Sequence, residues 1–98
     1  MEPSEAIVVE GALTIDAIGG AAERIERAVA QAKQGGRAVT INVSKVSDFD
    51  LSAIQLFYSV VTASETNKVP LTVVWGNFGE RLNQMCRFAG FKPVAEIL

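Results

Sequence analysis

The sequence predicts an α/β domain: one mixed, partly parallel sheet of about five strands packed with about three main helices. Two observations predict it. Apolar runs of strand length alternate with longer stretches whose apolar residues recur at helical spacing. Each long stretch ends in a glycine or a polar stop, and another short apolar run follows. That alternation is what strands joined by right-handed crossover helices require.

The elements follow in order. Ala6-Ile7-Val8-Val9 and Ala12-Leu13-Thr14-Ile15 are two strand-like runs, and Glu10-Gly11 between them reads as the tight turn of a β-hairpin. Asp16 suits a helix N-cap. Ile18, Ala22, Ile25, Val29 and Ala32 then form one helical face, with Glu23, Arg24, Glu26, Arg27 and Gln31 on the other. Gly19-Gly20 lowers helix propensity near the start, and Gly35-Gly36 supplies a left-handed stop. Arg37 to Val43 is a β-branched, half-apolar strand.

A loop through Val46, Asp48 and Asp50 leads to the second helix, expected to begin between Asp50 and Ser52 and to reach about Thr66. Ala53, Leu56, Phe57, Val60 and Val61 share its apolar face, and Ser52, Gln55, Ser59, Thr62 and Thr66 form an uncharged polar stripe. Ile54 and Tyr58 fall between the two. Asn67-Lys68 close the helix, and Pro70 precedes a strand at Leu71 to Trp75. Asn77 reads as an N-cap with Glu80 as its capping-box partner. Leu82, Met85, Cys86 and Ala89 make the third helix's apolar face, Gly90 and Pro93 stop it, and Val94 to Leu98 is a last short strand.

At 98 residues the chain is expected to be a single domain, 1–98, near the lower end of what buries its own core. A net charge of −2 gives no field that would draw it to nucleic acid or anionic lipid. Its apolar runs are too short for membrane insertion, and Met1-Glu2-Pro3-Ser4-Glu5 is too acidic for a secretory signal. A single cysteine excludes an internal disulfide and fits a reducing cytoplasm. The absence of histidine removes histidine-based triads, most catalytic zinc sites and histidine phosphocarriers. No acid–base–nucleophile set is visible, so the expectation is a protein that is not an enzyme and carries no cofactor and no metal. Gly76-Asn77-Phe78-Gly79 lacks the lysine and spacing of a phosphate-binding loop and reads as a capped turn. Cys86 and Trp75 read as packing residues.

Ser52 stands where strand, loop and helix meet, with Asp48 and Asp50 just before it. A hydroxyl there either caps the helix or accepts a phosphate, and a helix start favours anions. Two carboxylates in a loop read first as caps and turn-formers.

This order of elements, with Thr40-Ile41-Asn42-Val43-Ser44, Phe49-Asp50-Leu51-Ser52-Ala53-Ile54 and the run from Leu82 through Gly90-Phe91, resembles the STAS domain. That family is named for sulfate transporters and anti-sigma-factor antagonists. Its central motif runs roughly aspartate, serine, serine or threonine, glycine, leucine. Asp50 matches the aspartate, and Ser52 matches the second hydroxyl, the one phosphorylated in anti-sigma-factor antagonists. Leu51 replaces the first serine, Ala53 the glycine, and Asn42 stands where the family usually has aspartate in the preceding strand.

The resemblance implies a cytoplasmic regulatory module whose partner is a regulatory protein, a serine kinase of the anti-sigma type. Ser52 would be the phosphorylation site, Asp48 and Asp50 would support it, and Leu51, Ile54, Gln55 and Tyr58 would meet the partner. A weak homodimer stays open. So do an unphosphorylated accessory subunit of a signalling or transporter complex, and a small domain holding a nucleotide or anion at the helix start.

Overall fold

The computed structural model describes residues 5–92. Its elements are β1 (Glu5–Leu13), α1 (Ile18–Gly35), β2 (Val39–Phe49), α2 (Leu51–Asn67), β3 (Leu71–Val74) and α3 (Asn77–Phe88). Among the described residues the sheet has three strands in the order β1-β2-β3, and both pairings are parallel. Among the described residues, the expected mixed sheet of about five strands is therefore corrected to three parallel strands. The expected strand at Val94 to Leu98 lies outside the described residues.

The opening hairpin is the main correction. Ala6 to Leu13 is one strand, and Ala12 and Leu13 continue along β2 opposite Asp48 and Phe49. Gly11, at φ 81°, takes a conformation that side chains resist, but it does so without reversing the chain. Along this stretch β2 carries the extra residues: Val8 and Glu10 pair with Asn42 and Lys45, and Gly11 and Ala12 with Val46 and Asp48. These bulges carry β2 well past the expected end at Val43, as far as Phe49. The first is pinned by the Asn42 side chain, whose Oδ1 accepts from the Ser44 amide at 3.0 Å and the Ser44 hydroxyl at 2.6 Å.

Two expected caps also move. α1 starts at Ile18 after Ala17, without a side-chain cap from Asp16. The Thr14 carbonyl instead accepts from the Ala17 and Ile18 amides and turns the chain into the helix. In α3 the N-cap position belongs to Gly76, and Asn77 is the first helical residue, with no capping box to Glu80. The helix stops fall as expected. The Gly36 amide donates to the Ala32 carbonyl, and the amides of Gly90 and Phe91 close α3 on Arg87 and Cys86.

Crossovers that step the same way across a parallel sheet and follow the usual right-handed rule place their helices on one face, and α1 and α2 pack against each other. Ile7, Val9 and Leu13 of β1 and Val39, Ile41, Val43 and Val46 of β2 are buried beneath them. α1 contributes Ile25, Ala28, Val29 and Ala32, and α2 contributes Ala53, Ile54, Phe57, Val60 and Val61. Phe57 and Phe78 join α2 to α3, with ring centroids 6.0 Å apart. Trp75 and Phe49 complete the cluster, each with a centroid 5.0 Å from one of those rings. Cys86 is fully buried on the same side. Ala89, expected on the apolar face of α3, is exposed.

Candidate functional site

β2 delivers the chain to Asp50, whose extended backbone makes it the N-cap of α2. Its carboxylate is shared between two segments. Oδ1 accepts from the Ser52 amide at 2.9 Å and from the Ser52 hydroxyl, and Oδ2 accepts from the Ile15 amide at 2.9 Å. Asp50 thus ties the start of α2 to the turn between β1 and α1. The Ser52 hydroxyl, then the Ile15 amide, hold its carboxyl below the usual aspartate range. The Asp50 carboxylate orients the serine hydroxyl, and the lowered pKa makes it a weaker base towards that proton than an ordinary aspartate.

Ser52 is the second residue of α2 and is half-buried. The cap is therefore Asp50, and the Ser52 hydroxyl is not itself the capping group. Asp48 caps nothing: it lies in β2, exposed, with Oδ1 accepting from the Phe49 amide at 3.0 Å. The capping role expected of it falls to Asp50, because the strand runs on from Val43 through Asp48 to Phe49.

The four expected partner contacts divide. Leu51 is 51% exposed and Gln55 is exposed one turn further on. Tyr58 continues that stripe but is half-buried. Its hydroxyl donates to the Lys92 carbonyl and its ring lies 6.4 Å from Phe91, so it holds the segment after α3 against α2. Ile54, at 1% exposed, is a core residue and presents no surface to a partner. Ala53, Ile54 and Phe57 all face inward, which is a broader apolar face than a narrow helical stripe requires.

Sequence reasoning missed Ile15, 69% exposed, which lines a shallow hollow with Asp50, Leu51, Ser52 and Gln55. It ends a run of strand-like composition, and only the long-range Asp50 contact brings it to the site. Arg81 was missed too. It donates to the Ser47 carbonyl at 3.4 Å, and its guanidinium sits 5.1 Å from the Phe49 ring centroid. Among the described residues no group of three or more histidine, cysteine, aspartate or glutamate side chains gathers as metal ligands, and no helix is long and apolar enough to cross a membrane.

Parallel strands joined by helices on one face, with a carboxylate-capped serine at a strand-to-helix junction, define an α/β crossover domain. Within that class the STAS domain model matches residues 6–97, nearly the whole chain, and the chain belongs to the STAS domain family. No curated protein and no solved structure matches it.

Proposed function

We propose that this chain is a cytoplasmic, non-enzymatic protein-interaction module of the anti-sigma-factor-antagonist kind, switched by phosphorylation of Ser52. Its partner in this reading is a regulatory protein with serine kinase activity. One observation carries it: the Ser52 hydroxyl is held by the Asp50 carboxylate at the mouth of α2, between the exposed apolar side chains of Ile15 and Leu51. The Asp50 bond orients the oxygen. In the transfer, that oxygen bonds the γ-phosphorus of the kinase's ATP, the bridging bond to the β-phosphate breaks, ADP leaves, and the hydroxyl proton passes to a kinase base.

Phosphate on Ser52 adds between one and a half and two negative charges, roughly, at the positive end of α2. It also removes the hydroxyl donor from Asp50 and sets a dianion beside that carboxylate. The two effects oppose each other, so the domain keeps its fold. The rim of Leu51, Ile15 and Gln55 is altered for any partner that would bury it. A free anion at the same place would face the Asp50 carboxylate, which disfavours a nucleotide or phosphate pocket.

Mass spectrometry of the protein purified from its own cells is expected to find phosphate on Ser52. The Ser52→Ala and Ser52→Asp variants are expected to recover different partners, or different amounts of one partner, from those cells. Absence of phosphate together with identical partners for both variants would remove the switch and leave an unphosphorylated accessory domain.

A further inference from the structure

We infer that this domain self-associates through two hollows linked along the chain, Phe49 lining one and the next two residues, Asp50 and Leu51, lining the other, each hollow receiving the other from a second copy. The inference rests on the shape and charge of this surface and does not require Ser52 to be phosphorylated. The first hollow is the one around Ser52. Its apolar rim is Ile15 and Leu51, 69% and 51% exposed, and its charges are acidic, Asp50 in the lining and exposed Asp16 beside Ile15. The second is lined by Phe49, Arg81, Gln84, Met85 and Phe88.

Phe88 is 95% exposed, more than any other large apolar side chain among the described residues. It lies one position off the stripe through which Leu82 and Cys86 of α3 are buried. Arg81, Met85 and Phe88 share one face of α3 at helical spacing. Arg81 is held at the edge of this face by the Ser47 carbonyl and the Phe49 ring. Arginine, methionine and aromatic side chains grouped in this way are the composition that protein interfaces favour.

Each hollow carries one charge in its lining, Asp50 in the aliphatic one and Arg81 in the aromatic one. A surface of two such complementary halves fits a second copy of itself across a twofold axis, because each half then meets its opposite twice. In that arrangement Phe88 of one copy lies against Ile15 and Leu51 of the other, and Arg81 faces Asp16. The second copy is the occupant because the chemistry the α3 face requires stands next to it on the same chain. A contact confined to these two hollows, five lining residues each, is expected to fall at the weak, reversible end of the range. It covers Ser52, so dimer and kinase compete for one face.

Sedimentation equilibrium of the unphosphorylated wild-type protein over a wide concentration series is expected to show a monomer–dimer equilibrium. Phe88→Ser, at a position exposed in the monomer, is expected to weaken it by about tenfold or more with an unchanged circular dichroism spectrum. Arg81→Glu and Asp16→Arg are each expected to weaken it, and the two together to restore it towards the wild-type value. A chain monomeric throughout, a dimer indifferent to Phe88→Ser, or a double charge reversal no tighter than either single one would overturn the inference. Phosphate plays no part in this experiment, so its outcome is separate from that of the Ser52 switch.

Discussion

Gly76 sits where β3 turns into α3, at φ 59° and ψ −151°. Residues other than glycine hold that backbone region only at a cost of about 1–3 kcal/mol. Space is short as well. A Cβ at Gly76 would lie 2.7 Å from the Ser44 Cβ and 3.1 Å from the Ser44 Cα. Ser44 is not free to yield, because it stands at the β2 bulge with its amide and hydroxyl both bonded to Asn42. Forcing a methyl group into a filled site costs a further 1–3 kcal/mol or so.

Gly76→Ala is therefore expected to lose roughly 2–6 kcal/mol, a large share of the 5–15 kcal/mol a domain commonly has. The midpoint and slope of urea unfolding measure it. A double-mutant cycle separates the two causes. Ser44→Gly removes the Cβ and is expected to couple favourably with Gly76→Ala by about 1 kcal/mol or more. Ser44→Ala deletes the hydroxyl but keeps the Cβ, and is expected not to couple. Equal coupling by both variants, or a Gly76→Ala loss below about 1 kcal/mol, would refute the close approach of Gly76 to Ser44.

Two further outcomes follow from the same geometry. Phe57, fully buried between Trp75 and Phe78, is expected to cost about 3–5 kcal/mol as Phe57→Ala in the same unfolding assay. A cost no larger than that of an exposed substitution would show that the aromatic cluster does not join α2 to α3. Asp50 has a lowered carboxyl pKa in the folded protein, so the folded state binds its proton less readily than the unfolded chain does. Its contribution is whole above the ordinary aspartate value of about 3.9 and is lost as pH falls through the lower folded value. The urea midpoints of wild type and Asp50→Asn are thus expected to differ most above that value and to converge below it; a gap that stays constant with pH would deny the Asp50 carboxylate its bonds.

The alternation of short and long apolar periods was enough to locate α1, α2, β3 and α3 within a few residues. It failed where a local signal has two structural outcomes. Glu10-Gly11 carries the residues of a hairpin turn, yet a glycine at positive φ can equally sit within a strand. What decides is the partner strand: Asp48 and Phe49 lie 35 or more residues away in sequence, and no local window contains them. The sequence pattern of β2 stops short of Phe49 because its bulges break the alternation that would mark the strand that far. At the site, Ser52 and Asp50 were legible because cap chemistry is local. Ile15 was not, because an amide 35 residues upstream reaches Asp50 only through the fold. Phe88 left a trace: it falls off the apolar stripe of α3, and a phenylalanine in that position is a sign of surface.

The positions where this chain departs from the STAS motif bear on two different properties. Asn42 replaces an aspartate, but what the structure uses at that position is Oδ1 as an acceptor for the Ser44 amide and hydroxyl, and asparagine supplies that oxygen. That change leaves the bulge in place and removes a charge. Leu51 replaces a serine and is half exposed beside Ser52, so a polar rim becomes an apolar one. The acceptor geometry, set by Asp50, is untouched by either change. Under the proposed function the departures therefore alter which surface can dock against Ser52 rather than how the hydroxyl is held, and the partner's matching side chain is expected to be apolar where it meets Leu51.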